Sequence, residues 1–311
     1  MYLMHIIQYY KLIKEIFRTT NNPVNVLLYR ARIINETKIS TKNYGLFKIT
    51  SDWENTFIFN LIYSYLVNIP PEIKPSKRDI TVFRNFINDI LIKKDTITVD
   101  NLTFINNNTI CTVSERLTDK YNVKLNVKDK VVLDLGANIC DTALYYAKDG
   151  AKKVYSYEAS PTVYTVALKN LDLNPQYKDI IELYNIAISN KDVLQLPIEE
   201  DTFSAVTSEY NDTSNKEIVE VNTITINEIV ENLNGNVDVL KLDIEGSEFD
   251  LVDNTDFSVF DEMLIEYHSS LTGISRNVIT YKLENQGFNV EVLQTAYYDI
   301  DDFGLIHATK N

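Results

Sequence analysis

Cysteine is nearly absent: the 311-residue chain has two, Cys111 and Cys140. Two cysteines cannot build a disulfide framework, and without CxxC spacing they cannot form a zinc knuckle. Such usage fits a reducing cytoplasm. Basic residues are also scarce, with 30 Lys and Arg against 44 Asp and Glu and a net charge of −14. That argues against a nucleic-acid groove, which needs clustered cations, and against an anionic membrane surface. Only eight glycines occur, so each marks a backbone requirement; Gly136, Gly150 and Gly246 fall in or beside strand-end segments. The N-terminal stretch is interrupted by Lys11, Lys14, Glu15 and Arg18, so no transmembrane span is expected there. It also lacks the charge-then-apolar order and small-residue cleavage site of a secretory signal. What is present is a hydrophobic fraction of 45%, that of a folded globular chain, with room for one large α/β domain and about a hundred residues before it.

The expected division is a mainly helical cap or assembly region over residues 1–95 and a cofactor domain over 96–311. Leu3, Ile6, Ile7, Tyr10, Ile13 and Phe17 form one helical face. That face suits packing on the domain, with a peripheral membrane contact or a dimer as the alternative. Asn21-Asn22-Pro23 ends it. A second helix over 24–34 and a hairpin through residues 42–45 are expected next. A capping box at Ser51-Asp52-Trp53-Glu54 precedes a buried helix over 57–67, and a third helical stretch covers 80–92. Strands over 96–104 and 109–113 close the region. It carries no cluster of acid, histidine and nucleophile.

The chain is organised around Val131-Val132-Leu133-Asp134-Leu135-Gly136-Ala137-Asn138. This apolar run is too short for a helix and reads as a buried strand, followed by a tight turn at Gly136 and Ala137. Helical spacing resumes at Asp141 and Thr142. Strand, glycine turn and helix form the architecture that holds a nucleotide cofactor at the end of the first strand. A second strand over 152–158 ends in Glu158, about 20 residues past the glycine, where an acid accepts hydrogen bonds from ribose hydroxyls. Ser160-Pro161 opens the next helix. A dinucleotide is disfavoured, because the third glycine of GxGxxG is missing and Asp141 would repel a pyrophosphate at the helix N-terminus. S-adenosylmethionine has no phosphate and carries an ammonium and a sulfonium, which acids favour. Asp134 is therefore expected to meet the methionine ammonium, directly or through water.

A third strand over 180–188 carries Asn185, placed either at the adenine edge or as a strand-end turn residue. Short antiparallel strands over 194–198, 203–208 and 218–221 are expected before a second capping box at Thr225-Ile226-Asn227-Glu228. The fourth-strand segment Lys241-Leu242-Asp243-Ile244-Glu245-Gly246-Ser247-Glu248 delivers three acids around a glycine. Acids so crowded are costly unless they face water, a cation or a substrate. On the fifth strand, Glu266 and His268 share one face.

Together these segments resemble the FkbM-type methyltransferases, a class I S-adenosylmethionine-dependent family that mostly methylates hydroxyl oxygens. The resemblance rests on residues 133–139 with Asp141-Thr142-Ala143, Tyr157-Glu158 with Pro161, residues 185–189, residues 241–248, and Glu266-Tyr267-His268, in family order over about two-thirds of the chain. It implies a Rossmann-like α/β fold with a seven-stranded, mostly parallel sheet whose last two strands form an antiparallel hairpin, after a helix over 276–285. It also implies cofactor contacts from Asp134, Gly136, Ala137, Asn138, Asp141, Thr142, Glu158, Asn185 and Asp243. Cys140 stands where the family usually has glycine, and Ala159 where it usually has proline.

Methyl transfer is a displacement at a sulfonium carbon, so the protein chiefly positions the nucleophile and takes its proton. His268 is the expected base, since its ordinary pKa lies near neutrality; Asp243 and Glu266 are the other catalytic candidates. Glu245 and Glu248 are placed toward the substrate. A divalent cation held by Asp243, Glu245 and Glu266 is not favoured, and His307 is expected to be structural. The expected acceptor is a hydroxyl of a sugar, glycolipid or secondary metabolite, with a homo-oligomer left open. The alternatives are a non-catalytic assembly protein that binds S-adenosylmethionine, and an NAD-dependent oxidoreductase.

Overall fold

The computed structural model describes residues 16–17, 21–30, 33, 37–41, 45–49, 91–92, 95–105, 125–197, 217–294 and 300–310. Most of the first expected helix, the capping box at 51–54, the helix over 57–67, the strands over 109–113 and 203–208, and Cys111 lie outside the described residues. The chain forms two compact units, residues 1–101 with 106–118, and residues 102–105 with 119–311.

The first unit contains α1 (Pro23–Arg30) and an antiparallel hairpin of β1 (Thr37–Thr41) and β2 (Gly45–Ile49), closed where Thr41 faces Gly45. It also contains β3 (Leu91–Ile92), antiparallel to β4 (Thr96–Val99). Leu91 and Ile92 are thus strand rather than the end of the expected helix, an ambiguity inherent in short apolar runs. The single strand expected over 96–104 is broken at Asp100 and Asn101, with φ of 51° and 62°. Short polar side chains tolerate that left-handed region. β5 (Leu102–Ile105) follows, in the second unit.

The second unit then runs through β6 (Val131–Leu135), α2 (Asp141–Lys148), β7 (Lys153–Tyr157), α3 (Pro161–Asp172) and β8 (Ile181–Tyr184). After these come β9 (Ala187–Ile188), β10 (Val193–Pro197), β11 (Ile218–Ile224), α4 (Ile226–Asn232), β12 (Val239–Leu242) and α5 (Glu248–Leu251). β13 (Glu262–Tyr267), α6 (Ser269–Thr272), α7 (Asn277–Asn285), β14 (Phe288–Gln294) and β15 (Gly304–Lys310) complete it. The main sheet has seven strands in the order β14-β15-β13-β12-β6-β7-β8. All neighbours from β13 to β8 pair in parallel, and β15 pairs antiparallel with both β13 and β14. The central strands have the near-continuous burial of a sheet covered on both faces, with all four residues of β12 buried. The core extends from Leu133 and Leu240 to Phe260, Met263 and Ile306.

Two local devices aim the chain. Two buried asparagines, Asn170 at the end of α3 and Asn174 just beyond it, hold β5: Asn170 Oδ1 accepts from Ile105 N at 2.8 Å and Asn174 Oδ1 from Thr103 N at 2.9 Å. The Asn170 amide also donates to Ile139 O at 2.9 Å, so the same helix braces the turn after β6. At α4 the capping box is complete, with Thr225 Oγ1 accepting from Glu228 N and Glu228 accepting from Thr225 N.

One expected strand divides. The segment over 180–188 leaves the main sheet after Tyr184, and β9 pairs in parallel with β11. With β10, antiparallel to β11, these make a separate three-stranded sheet. The sheet order changes direction at β6, which has β7 on one side and β12 on the other. The crevice beyond such a switch point is where open α/β sheets bind ligands.

Candidate active site

The turn after β6 meets the turn after β12 closer than any side chain allows. Gly136 has a φ of 81°, and a Cβ there would lie 1.6 Å from Asp243 O. Gly136 N and Ala137 N both donate to Tyr157 O, at 3.0 and 2.9 Å, tying the same turn to the end of β7. Cys140, at the mouth of α2, is buried with φ of 68°, in the left-handed region where glycine is the usual residue.

Beneath this junction lies a buried cation. Lys241 Nζ donates to Gly136 O at 2.6 Å and lies 3.7 Å from Asp134 Oδ1 and 3.4 Å from Asp243 Oδ2. Burial pulls the ammonium's pKa down, but Asp243 and Asp134 outweigh it and hold the pKa above its usual range. Asp134 is fully buried, and Thr142 Oγ1 and Ser156 Oγ donate to its Oδ2 at 2.9 and 3.4 Å. Its Oδ1 has no hydrogen-bond partner. Asp134, expected to meet the cofactor ammonium, faces Lys241 here. Burial raises the Asp134 carboxyl and carries Asp141 up to about 6, with Lys241 opposing both shifts.

The cleft itself, of about 600 Å³ including its open mouth, is lined by Gly136, Asn138, Glu158, Asp243 and Glu245. Ile186, Ile188, Leu194 and Leu196 form its apolar wall. Glu158 accepts from Asn138 N at 2.9 Å and Ser160 N at 2.8 Å. Burial pushes its pKa up to about 7 although both bonds favour the charged form. Among the described residues no Lys or Arg lines the cleft, which therefore suits an adenosyl amino acid better than a pyrophosphate.

Next to the cleft, Glu248 serves two structures at once. Its carboxylate accepts from Gly246 N at 2.9 Å and Ile244 N at 3.1 Å, and its Oε1 lies 3.1 Å from His268 Nδ1. His268 Nε2 lies 3.5 Å from Glu245 Oε2 and 3.9 Å from Glu266 Oε1, and the ring packs edge-on against Phe303. Burial lowers the imidazole's pKa, but the Glu248 bond and the surrounding carboxylates outweigh it and raise it to about 10. The expectation of a neutral base rested on an ordinary pKa, and these carboxylates shift the imidazole toward its charged form. Glu248, expected toward the substrate, is buried and spent on its own loop.

Of the expected cofactor residues, Gly136, Asn138, Glu158 and Asp243 line the cleft. Asp134, Ala137, Asp141 and Thr142 sit behind it as support. Asn185 uses its amide on Glu158 O and Ala159 O, at 2.8 and 3.0 Å, so its donors brace the loop after β7 and are not offered to an adenine edge. His268 stands one residue past β13, yet its side chain still meets Glu266. His307 pairs with Glu262 at 2.9 Å, away from this cluster. Asp243, Glu248 and His268 bring ligand atoms within 4.8 Å of one another. Glu248 is already committed to backbone amides and Asp243 to Lys241, so the set does not fit a divalent cation. Sequence reasoning assigned no role to Lys241 or to Leu194 and Leu196. The lysine could have been found as the single cation in a run of acids, whereas the leucines come from a sheet whose placement no local pattern reveals.

A switch-point cleft, acids at the ends of β7 and β12 and an antiparallel last pair of strands define the class I methyltransferase fold. The family model "Methyltransferase FkbM domain" matches residues 134–302, more than half of the chain, and the chain belongs to the FkbM methyltransferase family. No curated protein matches the sequence. Among solved structures, the chain is similar to the methyltransferase FkbM from Methylobacillus flagellatus KT, with 14% identity, a TM-score of 0.38, and coverage of 74% of this chain and 59% of that one. It is also similar to M. capricolum TrmK in complex with S-adenosylhomocysteine, with 15% identity, a TM-score of 0.38, and coverage of 63% and 68%. A third is a putative RNA methyltransferase from Pyrococcus horikoshii, with 15% identity, a TM-score of 0.36, and coverage of 64% and 83%. Likenesses this loose carry no argument.

Proposed function

We propose that the chain transfers a methyl group from S-adenosylmethionine to a hydroxyl of a sugar, glycolipid or secondary metabolite. The observation that carries the cofactor half is the cleft, whose lining brings together Glu158, Asp243 and an aliphatic wall with, among the described residues, no cationic side chain. Glu158 would accept from the ribose hydroxyls, Asp243 would face the ammonium, and the aliphatic wall would hold the adenine. Bound there, S-adenosylmethionine supplies an electrophilic methyl group. Gly136 lets the turn after β6 pass directly against Asp243 O, and Lys241 keeps the carboxylates around that junction from repelling one another.

The acceptor half rests on family membership and on charge. Asp243, Glu245 and Glu266 are each partly exposed around His268, and the whole chain carries −14. Such a mouth opposes a polyanionic acceptor such as RNA and suits a polyol, whose hydroxyls donate to carboxylates. The first 95 residues are proposed as a cap over, or assembly region beside, the cofactor domain. Among the described residues no helix is long and apolar enough to cross a membrane.

Calorimetric titration with S-adenosylhomocysteine tests the cofactor half. Binding in the micromolar range, about −8 kcal/mol, is expected, with no response to NAD. Glu158→Ala should weaken it about tenfold or more, some 1.4 kcal/mol. Parent-like affinity in that variant would overturn the assignment.

A further inference from the structure

We propose that Glu245, not His268, takes the proton of the acceptor hydroxyl, and that the Glu248–His268 pair positions it. The proposal rests on the methyl-transfer reading of the site. Three carboxylates compete for the role, and their surroundings separate them. Glu248 is buried and accepts from two backbone amides. Asp243 reaches the cleft but is already paired with the Lys241 ammonium at 3.4 Å. Glu245 lines the cleft, has about a third of its side chain exposed, and is paired only with His268 among the described cations.

Its backbone makes the same point. Glu245 holds φ at 54°, left-handed for a residue with a full side chain, immediately before Gly246 at 105°. Glu248 sustains that turn through Gly246 N and Ile244 N. Strain of this kind, about 1–3 kcal/mol, persists where neighbouring structure imposes it and clusters at functional sites. His268, held through Nδ1 by Glu248, turns Nε2 toward Glu245 Oε2.

The groups that face Glu245 are Lys241 from β12, Asp243 just beyond it, Glu248 from α5, and His268 beyond β13. Burial and Asp243 raise its pKa to about 7, with His268 opposing. That value suits a base working near neutrality. In the step itself, the acceptor's O–H bond breaks and its proton passes to a Glu245 oxygen. The acceptor oxygen forms its bond to the methyl carbon as the carbon–sulfur bond breaks, and that electron pair stays on sulfur. The products are the methyl ether and S-adenosylhomocysteine, with the proton on Glu245.

The test uses the full chain with S-adenosylhomocysteine bound and needs no acceptor. Nitrogen-15 histidine and carbon-13 glutamate spectra should show His268 as an imidazolium through pH 8 and one glutamate, absent in Glu245→Gln, titrating between pH 6 and 8. A neutral His268 at pH 7.5, or a Glu245 signal titrating with ordinary carboxylates, overturns the proposal. In Glu245→Gln the His268 midpoint should fall, since the Glu245 carboxylate is among the groups that hold the imidazole charged. In calorimetry on Glu245→Gln, loss of S-adenosylhomocysteine binding would make Glu245 a cofactor ligand and overturn the assignment. A parent protein that binds no S-adenosylhomocysteine sinks the methyl-transfer reading and this proposal with it. With methyl glycosides as hydroxyl probes, any S-adenosylhomocysteine release should drop at least about 100-fold in Glu245→Gln with the cofactor KM unchanged. Parent-like release in that variant counts against the role.

Discussion

The residue with the most structure depending on it is Lys241. Its ammonium binds Gly136 O, lies beside Asp134 and Asp243, and is almost excluded from water. Removing one member of a buried ion pair strands the other charge, at a cost of about 3–5 kcal/mol. Lys241→Ala should therefore lose roughly that much stability in denaturant unfolding, while Lys241→Arg, which keeps the charge, should lose less. An alanine variant as stable as the parent would show that Asp134 is already protonated in the folded chain. At this scale the sequence was legible in part. Asp134, Glu158 and Asp243 could be picked out because strand-end acids are unusual. Which of them touches ligand depends on Lys241 and Thr142 arriving from other elements to occupy Asp134.

Among the elements, α4 has the clearest local cause. Thr225 and Glu228 exchange hydrogen bonds at its first turn, and the helix covers the core with Ile226 and Ile229. Thr225→Ala should cost about 1 kcal/mol, read as a shift in the denaturant midpoint with an unchanged slope. The same box was visible in the sequence, as were β6, β7, β12 and the hairpin β14–β15, because each is set by its own periodicity and bounding turn. The break between β8 and β9 was not. Asn185 and Ile186 look like the middle of an apolar strand, and what divides them is tertiary: the Asn185 amide is drawn to Glu158 O and Ala159 O while Ala187 is claimed by β11. His268 was read in sequence as a strand residue with an ordinary pKa; it stands just past β13, and the Glu248 carboxylate that raises its pKa comes from a different element.

For the molecule as a whole, the buried acids set a pH dependence with a definite sign. Glu158 and Glu245 ordinarily ionise near 4.5 but hold protons to about 7 in the folded chain. His268 ordinarily loses its proton near 6.5 and here keeps it to about 10. Across both windows the folded state binds more protons than the unfolded one, so stability falls as pH rises. Glu182, Glu228 and Asp256 shift the other way, but below their ordinary carboxylate values and so outside this range. The ligand-free protein should melt lower at pH 8.5 than at pH 6, by about 2–4 °C for each kcal/mol lost. A melting temperature that rises over that interval would contradict the burial of these groups. The contact between Gly136 and Asp243 O reaches beyond any single variant. No side chain can enter position 136 unless the main chain at 243 retreats, and that retreat carries Glu245 and Glu248 with it. Two stretches far apart in the chain are thereby yoked as one inherited unit: a lineage can remodel the cofactor's shelf or the acceptor's base only by altering both.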